Sequence, residues 1–244
     1  NRTGAESMPG PLNETIQAGQ FLVHTVVTGP FKENCYILEH SQTGEHVVID
    51  PGANTESIES ILDSRPTKLK AIVLTHGHFD HVGAVQSLCD KYGVACYIHE
   101  KDVRLARQAS LWGIRFAKMR VATPKVLNSF NDNERLSFGE VQLAALPVPG
   151  HTPGSVALFG DGFVFTGDTL FFKHIGPADY PGSCRKTIRE SVNFLLQSLP
   201  DETQIFPGHG RPWQIAEAKQ WWNETVEPPA FQIMIPLSSV ETQP

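Results

Sequence analysis

The amino-acid sequence predicts an α/β (α+β) fold in which two mixed β-sheets pack face to face and are flanked by helices, an αββα sandwich. Strand-like runs dominate each half of the chain, and helical patterns lie between or after them. Helices in those positions can cover the outer faces of two stacked sheets. No internal repeat and no linker rich in Pro, Gly or Ser divides the chain, so we expect one domain.

The first half contains five predicted strands, joined by short segments that include Gly, Pro and Asn. They are FLVHTVV, CYILEH, HVVID, KAIVLT and ACYIH, at residues 21–27, 35–40, 46–50, 70–75 and 95–99. The first three are expected to form an antiparallel meander, and the continuous apolar run KAIVLT a buried strand. Helical spacing predicts helices at 54–65, with Asn54 as the N-cap, and at 82–93, ending at Gly93.

The second half repeats this organisation in a different order. Its predicted strands are LSFG and VQLAALPVP within 136–149, SVALFG and GFVFTGD around Gly160–Gly162, and TQIFPGH at 203–209. The glycine-containing turn between the third and fourth of these strands predicts a hairpin. Amphipathic helices are expected at 184–200 and 216–226.

The domain is expected to span residues 21–227. Residues 1–20 are expected to form a flexible leader, and residues 228–244 a C-terminal extension.

One segment between the two halves, residues 101–135, has the pattern of an inserted helical lid. Trp112, Phe116 and Met119 lie in it at helical spacing. Apolar residues at that spacing are more often core residues than a substrate wall, so a place in the core is expected for all three.

Composition limits the classes of partner. The 244 residues carry a formal net charge of −6, and no apolar run reaches the roughly 18 residues of a membrane span. Neither nucleic acid nor a membrane is therefore expected as a partner, and the oligomeric state is left open. The N-terminal residues lack a secretory pattern and the four cysteines lack CxxC spacing, which favours free thiols in a cytoplasmic protein. A bridge between Cys89 and Cys96 stays open as an alternative.

The stretch THGHFDHVG, residues 75–83, concentrates metal-ligating side chains directly after a predicted buried strand. His76 and His78 are one residue apart, so they point the same way in an extended stretch. Asp80 and His81 follow where the loop turns into a helix, so they can face a second point nearby. Four such residues in six positions are typical of a metal site and could serve two adjacent ions.

Three more polar residues stand where apolar strands enter glycine-containing turns. They are His151 in PVPGHTPGS, Asp168 in VFTGDTLF and His209 in IFPGHGRP. Functional groups commonly gather at such strand ends, so these residues are candidates to complete the metal site.

The motifs HxHxDH, GHTPGS, GDTLF and PGHG, in this order, resemble the metallo-β-lactamase superfamily of hydrolases, and most closely its glyoxalase II (hydroxyacylglutathione hydrolase) branch. TGPFKENCYIL at 28–38 and VVIDPGAN at 47–54 resemble the N-terminal pattern of that branch. The resemblance covers about residues 21 to 226. It implies the metallo-β-lactamase type of αββα sandwich.

The resemblance also implies a set of ligands for two divalent metal ions, with zinc expected and iron or manganese compatible. His76, His78 and His151 would bind one ion, and Asp80, His81 and His209 the other. Asp168 would bridge the two ions, and Asp50 would lie beneath the metal loop as a structural carboxylate. Asp80 is also expected to take part in catalysis.

A hydroxide bridging two metals would then attack the carbonyl of a small thioester, ester or lactone. Two alternatives remain on the sequence: a persulfide dioxygenase with a single iron, and a β-lactamase-like amide hydrolase. Metal stoichiometry and product analysis distinguish them.

The sequence departs from glutathione-binding relatives at two positions. Pro177 stands where they have Arg or Lys, and Arg211 stands where a tyrosine is expected. Lys173, His174 and Tyr180 follow Asp168 closely enough to be candidates for substrate contact.

Overall fold

Two mixed β-sheets lie at the centre of the protein, whose residues 14–64 and 68–225 are described by a computed structural model. The first sheet has seven strands in the order of the sequence. They are β1 (Glu14–Ala18), β2 (Phe21–Thr28), β3 (Glu33–His40), β4 (His46–Ile49), β5 (Leu69–Val73), β6 (Ala95–His99) and β7 (Asn128–Phe130). Strands β1 to β4 pair antiparallel, which confirms the meander, and β4 to β7 pair parallel.

The remaining strands belong mainly to the second sheet. In chain order they are β8 (Arg135–Phe138), β9 (Val141–Pro147), β10 (Val156–Gly160), β11 (Phe163–Gly167), β12 (Leu170–Phe171), β13 (His174–Ile175), β14 (Gln204–Pro207) and β15 (Trp213–Gln214). The second sheet has the order β15-β14-β11-β10-β9-β8, and β12 and β13 form a separate ribbon. Gly160 lies opposite Phe163, which confirms the predicted hairpin.

Helices cover the outer faces of both sheets. They are α1 (Thr55–Asp63), α2 (Phe79–Val82), α3 (Val85–Tyr92), α4 (Val103–Arg107), α5 (Ala109–Trp112), α6 (Arg185–Ser198) and α7 (Ile215–Glu224). Helices α1, α3, α4 and α5 pack on the first sheet, and α6 and α7 pack on the second. The predicted αββα sandwich is therefore confirmed.

The alternation of side chains along each strand separates the core into layers. Leu38 points into the layer between the sheets, and its neighbour Ile37 points toward the helices. Phe165 and Val164 divide in the same way in the second sheet. This period of two lets one strand stabilise both of its faces, since each fully buried side chain of this kind contributes about 1.5–3 kcal/mol. The hydroxyl of Tyr36 also donates to the carbonyl of Pro207, 2.6 Å away, and so links the sheets.

The folded part of the chain begins earlier than predicted. Residues 14–18 were expected in the flexible leader, but they form β1 and pair with β2, from Glu14 opposite Thr25 to Ala18 opposite Phe21. Strand β1 lies at the sheet edge and only Ala18 is buried, so its polar sequence ETIQA carries little strand signal. The expected extension at 228–244 lies outside the described residues.

The helix predicted at 82–93 is interrupted at Gly83 and Ala84, which separate α2 from α3. A Cβ at residue 83 would lie 2.2 Å from the carbonyl oxygen of Gly52. Gly93 ends α3 with φ +67°, and its N–H donates to the carbonyl of Cys89, as predicted. Asn54 precedes α1, but its side chain accepts from the N–H of Gly29 and does not cap the helix.

The lid predicted at 101–135 is helical only in its first half. A 3-10 turn at Glu100–Asp102 leads into α4 and α5, and a π-helical turn at Gly113–Ala117 follows. The second half is extended and adds β7 to the edge of the first sheet. All four cysteines have free thiols, which removes the alternative of a bridge between Cys89 and Cys96. Among the described residues, no helix has the length and apolar character needed to cross a bilayer.

Candidate metal centre

The predicted metal loop follows β5 and leads into α2. His76 and His78 lie in its extended part, and Asp80 and His81 lie on the first turn of α2. Gly77 separates the two histidines where α4 packs directly against the loop. A Cβ there would lie 2.8 Å from the backbone nitrogen of Ala106, so a larger residue would displace the loop.

Ring nitrogens of His76, His78 and His151 converge on one point. Nε2 of His76 lies 3.1 Å from Nδ1 of His78, which in turn lies 2.8 Å from Nε2 of His151. Nδ1 of His76 and of His151 each donates elsewhere, so both Nε2 atoms carry lone pairs. One proton on His78 could satisfy only one of these contacts, and the remaining lone pairs would face each other. A metal cation at this point would coordinate all three.

The second group consists of Asp80, His81 and His209. Oδ2 of Asp80 lies 3.6 Å from Nε2 of His209 and 3.9 Å from Nε2 of His81. Asp80 and His81 come from α2, and His209 follows β14 in the second sheet, so the two sheets jointly supply this group.

Asp168, at the end of β11, lies between the two groups. Its Oδ2 is 3.4 Å from Nε2 of His151 and 3.6 Å from Nε2 of His209, and its Oδ1 is 3.3 Å from Nε2 of His81. The structure thus brings all seven sequence-predicted ligands together. Oδ1 of Asp168 and Nε2 of His81 are buried and not aligned for a hydrogen bond with each other or with any other described residue. Leaving buried polar atoms unsatisfied costs about 1–3 kcal/mol each, so these two atoms fit the coordination of a divalent cation.

Asp50 orients one histidine of each group. Its Oδ2 accepts from Nδ1 of His81 at 3.0 Å and from the hydroxyl of Thr75 at 2.5 Å. The hydroxyl oxygen of Thr75 accepts from Nδ1 of His76 at 3.1 Å. Asp50 has φ +48°, a left-handed conformation that costs energy for a non-glycine residue and is typical of functional sites. The carboxylate predicted to lie beneath the metal loop therefore fixes two rings at once.

Backbone carbonyls orient two other ligands. Nδ1 of His151 donates to the carbonyl of Pro177 at 2.7 Å, and Nδ1 of His209 donates to the carbonyl of Phe31 at 3.1 Å. In each case the tautomer leaves Nε2 facing the centre. Metal-binding histidines usually have their second nitrogen engaged in this way.

Charge distinguishes the two groups. Burial lowers the pKa of His76 well below its ordinary value and that of His78 to about 3, so both rings stay neutral at neutral pH. Burial also opposes protonation of His81 and His209, but the carboxylates of Asp168 and Asp80 outweigh it. They raise the pKa of His81, and that of His209 to about 10. The second group therefore attracts positive charge, which divalent cations would supply in place of protons.

Gly208 makes room for the central carboxylate. A Cβ at this position would lie 2.2 Å from Oδ1 of Asp168 and 3.0 Å from Cε1 of His81. The first glycine of the PGHG motif is therefore required because the chain after β14 comes so close to the ligands, in addition to its role in a turn.

Asp102 is a residue of the site that sequence reasoning missed. It is buried, its Oδ2 accepts from the N–H of Gly77 and the hydroxyl of Thr152, and its Oδ1 accepts from the N–H of Gly154. One carboxylate thus joins the loop of His76 and His78 to the loop of His151. The only sequence signal is an acidic residue shortly after a predicted strand, which is too common to single it out.

A cavity of about 640 Å³, including the part open to solvent, lies over the centre. Four predicted ligands form its floor: His78, Asp80, His151 and Asp168. Its walls are largely apolar and aromatic: Phe31, Phe79, Leu105, Trp112, Phe116, Tyr180 and Pro181. This composition is typical of a small-molecule site, which has an apolar wall and a few polar groups at the bottom.

The predictions for the cavity wall were right for some residues and wrong for others. Trp112 and Phe116 were expected in the core, but they stack on each other along the wall, with ring centroids 5.6 Å apart. Met119 is exposed and lines a neighbouring depression instead. A helical segment that covers a cavity has the same apolar spacing as one that covers a core, so the sequence could not separate the two cases.

Of the three predicted substrate contacts, Tyr180 lines the cavity, with its ring 5.8 Å from that of His78. Lys173 and His174 are not among the lining residues. Lys173 lies over the ring of Phe172 beside a separate surface depression, and Nδ1 of His174 contacts the carbonyl of Phe172. Lys173 has φ +55°, so the chain turns sharply there and carries both side chains away from the centre.

Comparisons with known proteins agree with this geometry. The model of the metallo-beta-lactamase superfamily matches residues 28–209. Hydroxyacylglutathione hydrolase GloC of Haemophilus influenzae is 32% identical over 199 residues, which are 78% of this chain and 91% of that protein. Two solved structures are also similar. BLEG-1, a B3 metallo-beta-lactamase, has a TM-score of 0.77 and 30% identity, over 81% of this chain and 96% of that one. TTHA1623 in a di-iron-bound form has a TM-score of 0.72 and 37% identity, over 80% and 96%.

The match covers most of the chain and includes every residue of the metal loop. With a sandwich of the same type and a cluster of His and Asp side chains beneath an open cavity, the chain belongs to the metallo-beta-lactamase superfamily of metal-dependent hydrolases.

Proposed function

We propose that the protein is a binuclear metal-dependent hydrolase that cleaves a thioester, ester or lactone with an apolar acyl group. The observation that carries the proposal is the pair of ligand groups that meet at Asp168 beneath an apolar cavity. Three protein ligands on each side and one shared carboxylate fit two divalent ions, with zinc expected and iron or manganese compatible.

The residues of the centre have different roles in the proposed reaction. His76, His78 and His151 provide neutral nitrogens, while Asp50 and the backbone carbonyls keep the rings oriented. Two bound divalent ions would supply an acidified water and polarise the carbonyl that it attacks. Asp80 is part of the cavity floor, where its carboxylate could also accept a hydrogen bond from the attacking water; this position supports the catalytic role expected from the sequence.

Tyr180 is the proposed substrate contact, because it lines the cavity. Burial raises the pKa of its phenol, and the nearby charges of Asp80 and Asp168 raise it further, so the hydroxyl stays protonated. A neutral donor beside the cavity floor suits a carbonyl oxygen or a leaving group, both of which gain negative charge during hydrolysis.

The cavity supports an apolar substrate over a glutathione conjugate. None of the described residues that line it is Lys or Arg. Pro177 offers only its backbone carbonyl, which is engaged by His151, and the guanidinium of Arg211 lies 3.5 Å over the ring of Phe172 beside another depression. The two carboxylates of glutathione would find no cation along these walls.

We expect two metal ions per chain after saturation with zinc, as measured by elemental analysis. His209→Ala should reduce this to about one ion, because it removes a ligand from the second group only. Lys186→Gln, an exposed substitution on α6, is a matched control that should keep two ions. A single ion per parent chain, with Asp80 and His209 both dispensable, would refute the binuclear proposal.

We expect the KM for S-lactoylglutathione to exceed that for an uncharged butyryl thioester, such as the one of N-acetylcysteamine, by at least about tenfold. The reason is that two charged carboxylates are desolvated without a partner, at about 1–3 kcal/mol for each unsatisfied group. Steady-state kinetics with both substrates on one metal-loaded sample measure the ratio. A KM in the low micromolar range for the glutathione thioester would contradict the proposed preference for an uncharged, apolar substrate.

β-Lactam hydrolysis is a second candidate, favoured by the similarity to BLEG-1. A chromogenic cephalosporin in the same substrate panel tests it directly. Oxygen consumption and sulfite release from a glutathione persulfide test the dioxygenase alternative, which requires one iron per chain.

A further inference from the structure

The helical part of the lid has two faces of different character. Leu105, Trp112 and Phe116 point inward and line the cavity. Ala106, Ala109 and Gly113 are buried, whereas four exposed residues are spaced by three or four and so share the outer side: Arg104, Arg107, Leu111 and Ile114. The outer side therefore presents cations and aliphatic side chains next to the mouth of the cavity.

Charge is strongly concentrated in this part of the chain. Residues 103–130, which we call the basic segment, contain six of the 20 Lys and Arg residues and none of the 26 Asp and Glu residues. The six cations are Arg104, Arg107, Arg115, Lys118, Arg120 and Lys125, and all are exposed. The segment is therefore positively charged although the whole chain has a net charge of −6.

Exposed apolar side chains are concentrated there too. Within the described residues, five large hydrophobic side chains are exposed, and four of them lie in the basic segment. They are Leu111 (61%), Ile114 (51%), Met119 (39%) and Val126 (73%). The fifth, Phe194, lies on α6 on the opposite face of the sandwich.

Nearby acidic residues do not neutralise the segment. Asp102 is buried and committed to its three donors, and Asp132 is paired with Lys101 and His99. Asp179 is the sequence neighbour of Tyr180, and Glu100 is exposed just before the segment; no ion pair joins either residue to a described cation of the segment. None of the six cations forms an ion pair with a described residue, so their charge is available to a partner. Acidic groups on the far side of the protein are screened beyond roughly 8 Å in physiological salt.

We propose that the outer face of the basic segment docks on an anionic membrane surface. Cations near an anionic bilayer each contribute about 1 kcal/mol, and Leu111 and Ile114 can enter the boundary between headgroups and acyl chains. A lipid surface needs no matching groove or hydrogen-bond pattern, which suits a face that offers only cations and aliphatic side chains. The apolar cavity opens beside this face, so an apolar acyl compound could enter from the lipid.

This docking goes beyond the proposed function and does not depend on it. The absence of a span-length apolar run, on which the expectation of no membrane partner rested, concerns segments that cross a bilayer. A face that lies on the bilayer needs only short amphipathic helices with basic residues.

The test is co-sedimentation of the full chain with vesicles of phosphatidylcholine alone or with 30% phosphatidylglycerol, at low and high salt. We expect at least about tenfold stronger partitioning on the anionic vesicles, with most of it lost in high salt. Arg107→Gln/Lys118→Gln should weaken partitioning by about fivefold for each cation, and Leu111→Ser/Ile114→Ser by at least about tenfold for the pair.

Two controls match these changes outside the segment. Phe194→Ser removes the exposed apolar residue of α6, and Lys186→Gln removes a cation from the same helix. Both should bind vesicles like the parent, and circular dichroism checks that every variant is folded. Parent protein that sediments equally with both vesicle types, or equal binding by segment and control variants, would overturn the proposal.

Two further outcomes would also overturn it. If the chain forms a dimer that Leu111→Ser/Ile114→Ser dissociates, the face is an interface between copies. If polyglutamate binds and anionic vesicles do not, the partner is an acidic protein.

Discussion

Asp168→Asn is expected to lower kcat by at least about a hundredfold, even when metal is supplied in excess. The carboxylate uses both oxygens, one toward His81 and the other toward His151 and His209, so it is placed to bind two cations. Asparagine has one neutral oxygen and an amide nitrogen that cannot bind metal. Without the carboxylate, the two ions should separate or one of them should leave. A misplacement of the attacking water by about 1 Å can cost roughly a hundredfold in rate.

The measurement combines kcat with metal content on the same sample. Asp161→Asn is the matched control, because Asp161 lies in the exposed turn between β10 and β11 and should keep parental activity. The change at Asp168 is nearly isosteric, so circular dichroism should show an intact fold. Near-parental rates for Asp168→Asn at metal saturation would mean that Asp168 is an ordinary turn residue and that the two-metal mechanism is wrong.

Asp102→Asn is expected to weaken metal binding by about 10–100-fold and to lower the free energy of unfolding by about 1–3 kcal/mol. The carboxylate accepts from Gly77, Thr152 and Gly154, and an amide nitrogen would place a donor against one of these donors. A buried donor left unsatisfied costs about that much, and groups that position metal ligands typically change affinity by this factor.

Chemical denaturation of the metal-free protein measures the stability effect, and competition with a chelator measures the affinity. Asp132→Asn serves as the control, since Asp132 is half-exposed and its ion pairs with Lys101 and His99 are worth less than about 1 kcal/mol. If Asp102→Asn lowers stability but leaves metal affinity unchanged, Asp102 supports the lid and does not position the ligand loops.

The sequence could single out the seven residues that the structure brings together, because each stands shortly after an apolar strand or in the short motif that follows β5. His151, Asp168 and His209 follow different strands, β9, β11 and β14, and the fold brings the ends of these strands together. The β1 strand was missed because an edge strand with one buried residue needs little apolar alternation.

Residues whose role depends on tertiary contacts were harder to assign. Asp102 accepts hydrogen bonds from three donors in two loops that are distant in sequence, and no local sequence pattern indicates these contacts. Lys173 and His174 are near Asp168 in sequence, but a left-handed turn at Lys173 takes them elsewhere. Trp112 and Phe116 have the spacing of core residues because they lie on the side of the helical segment that faces the cavity, and that side is as apolar as one that faces a core.

The lid also has a consequence for how this protein family can diversify. Its part between β6 and β7, residues 100–127, starts and ends at neighbouring points, because these strands pair side by side from Tyr97 opposite Asn128 to His99 opposite Phe130. An intervening stretch anchored at adjacent points can change length or sequence with little effect on the strands that frame it. Leu105, Trp112 and Phe116 all belong to this stretch, and none of the seven ligands does. Evolution, or an engineer, can therefore exchange much of the cavity wall as one contiguous cassette, provided that Asp102 is kept to hold the ligand loops in place.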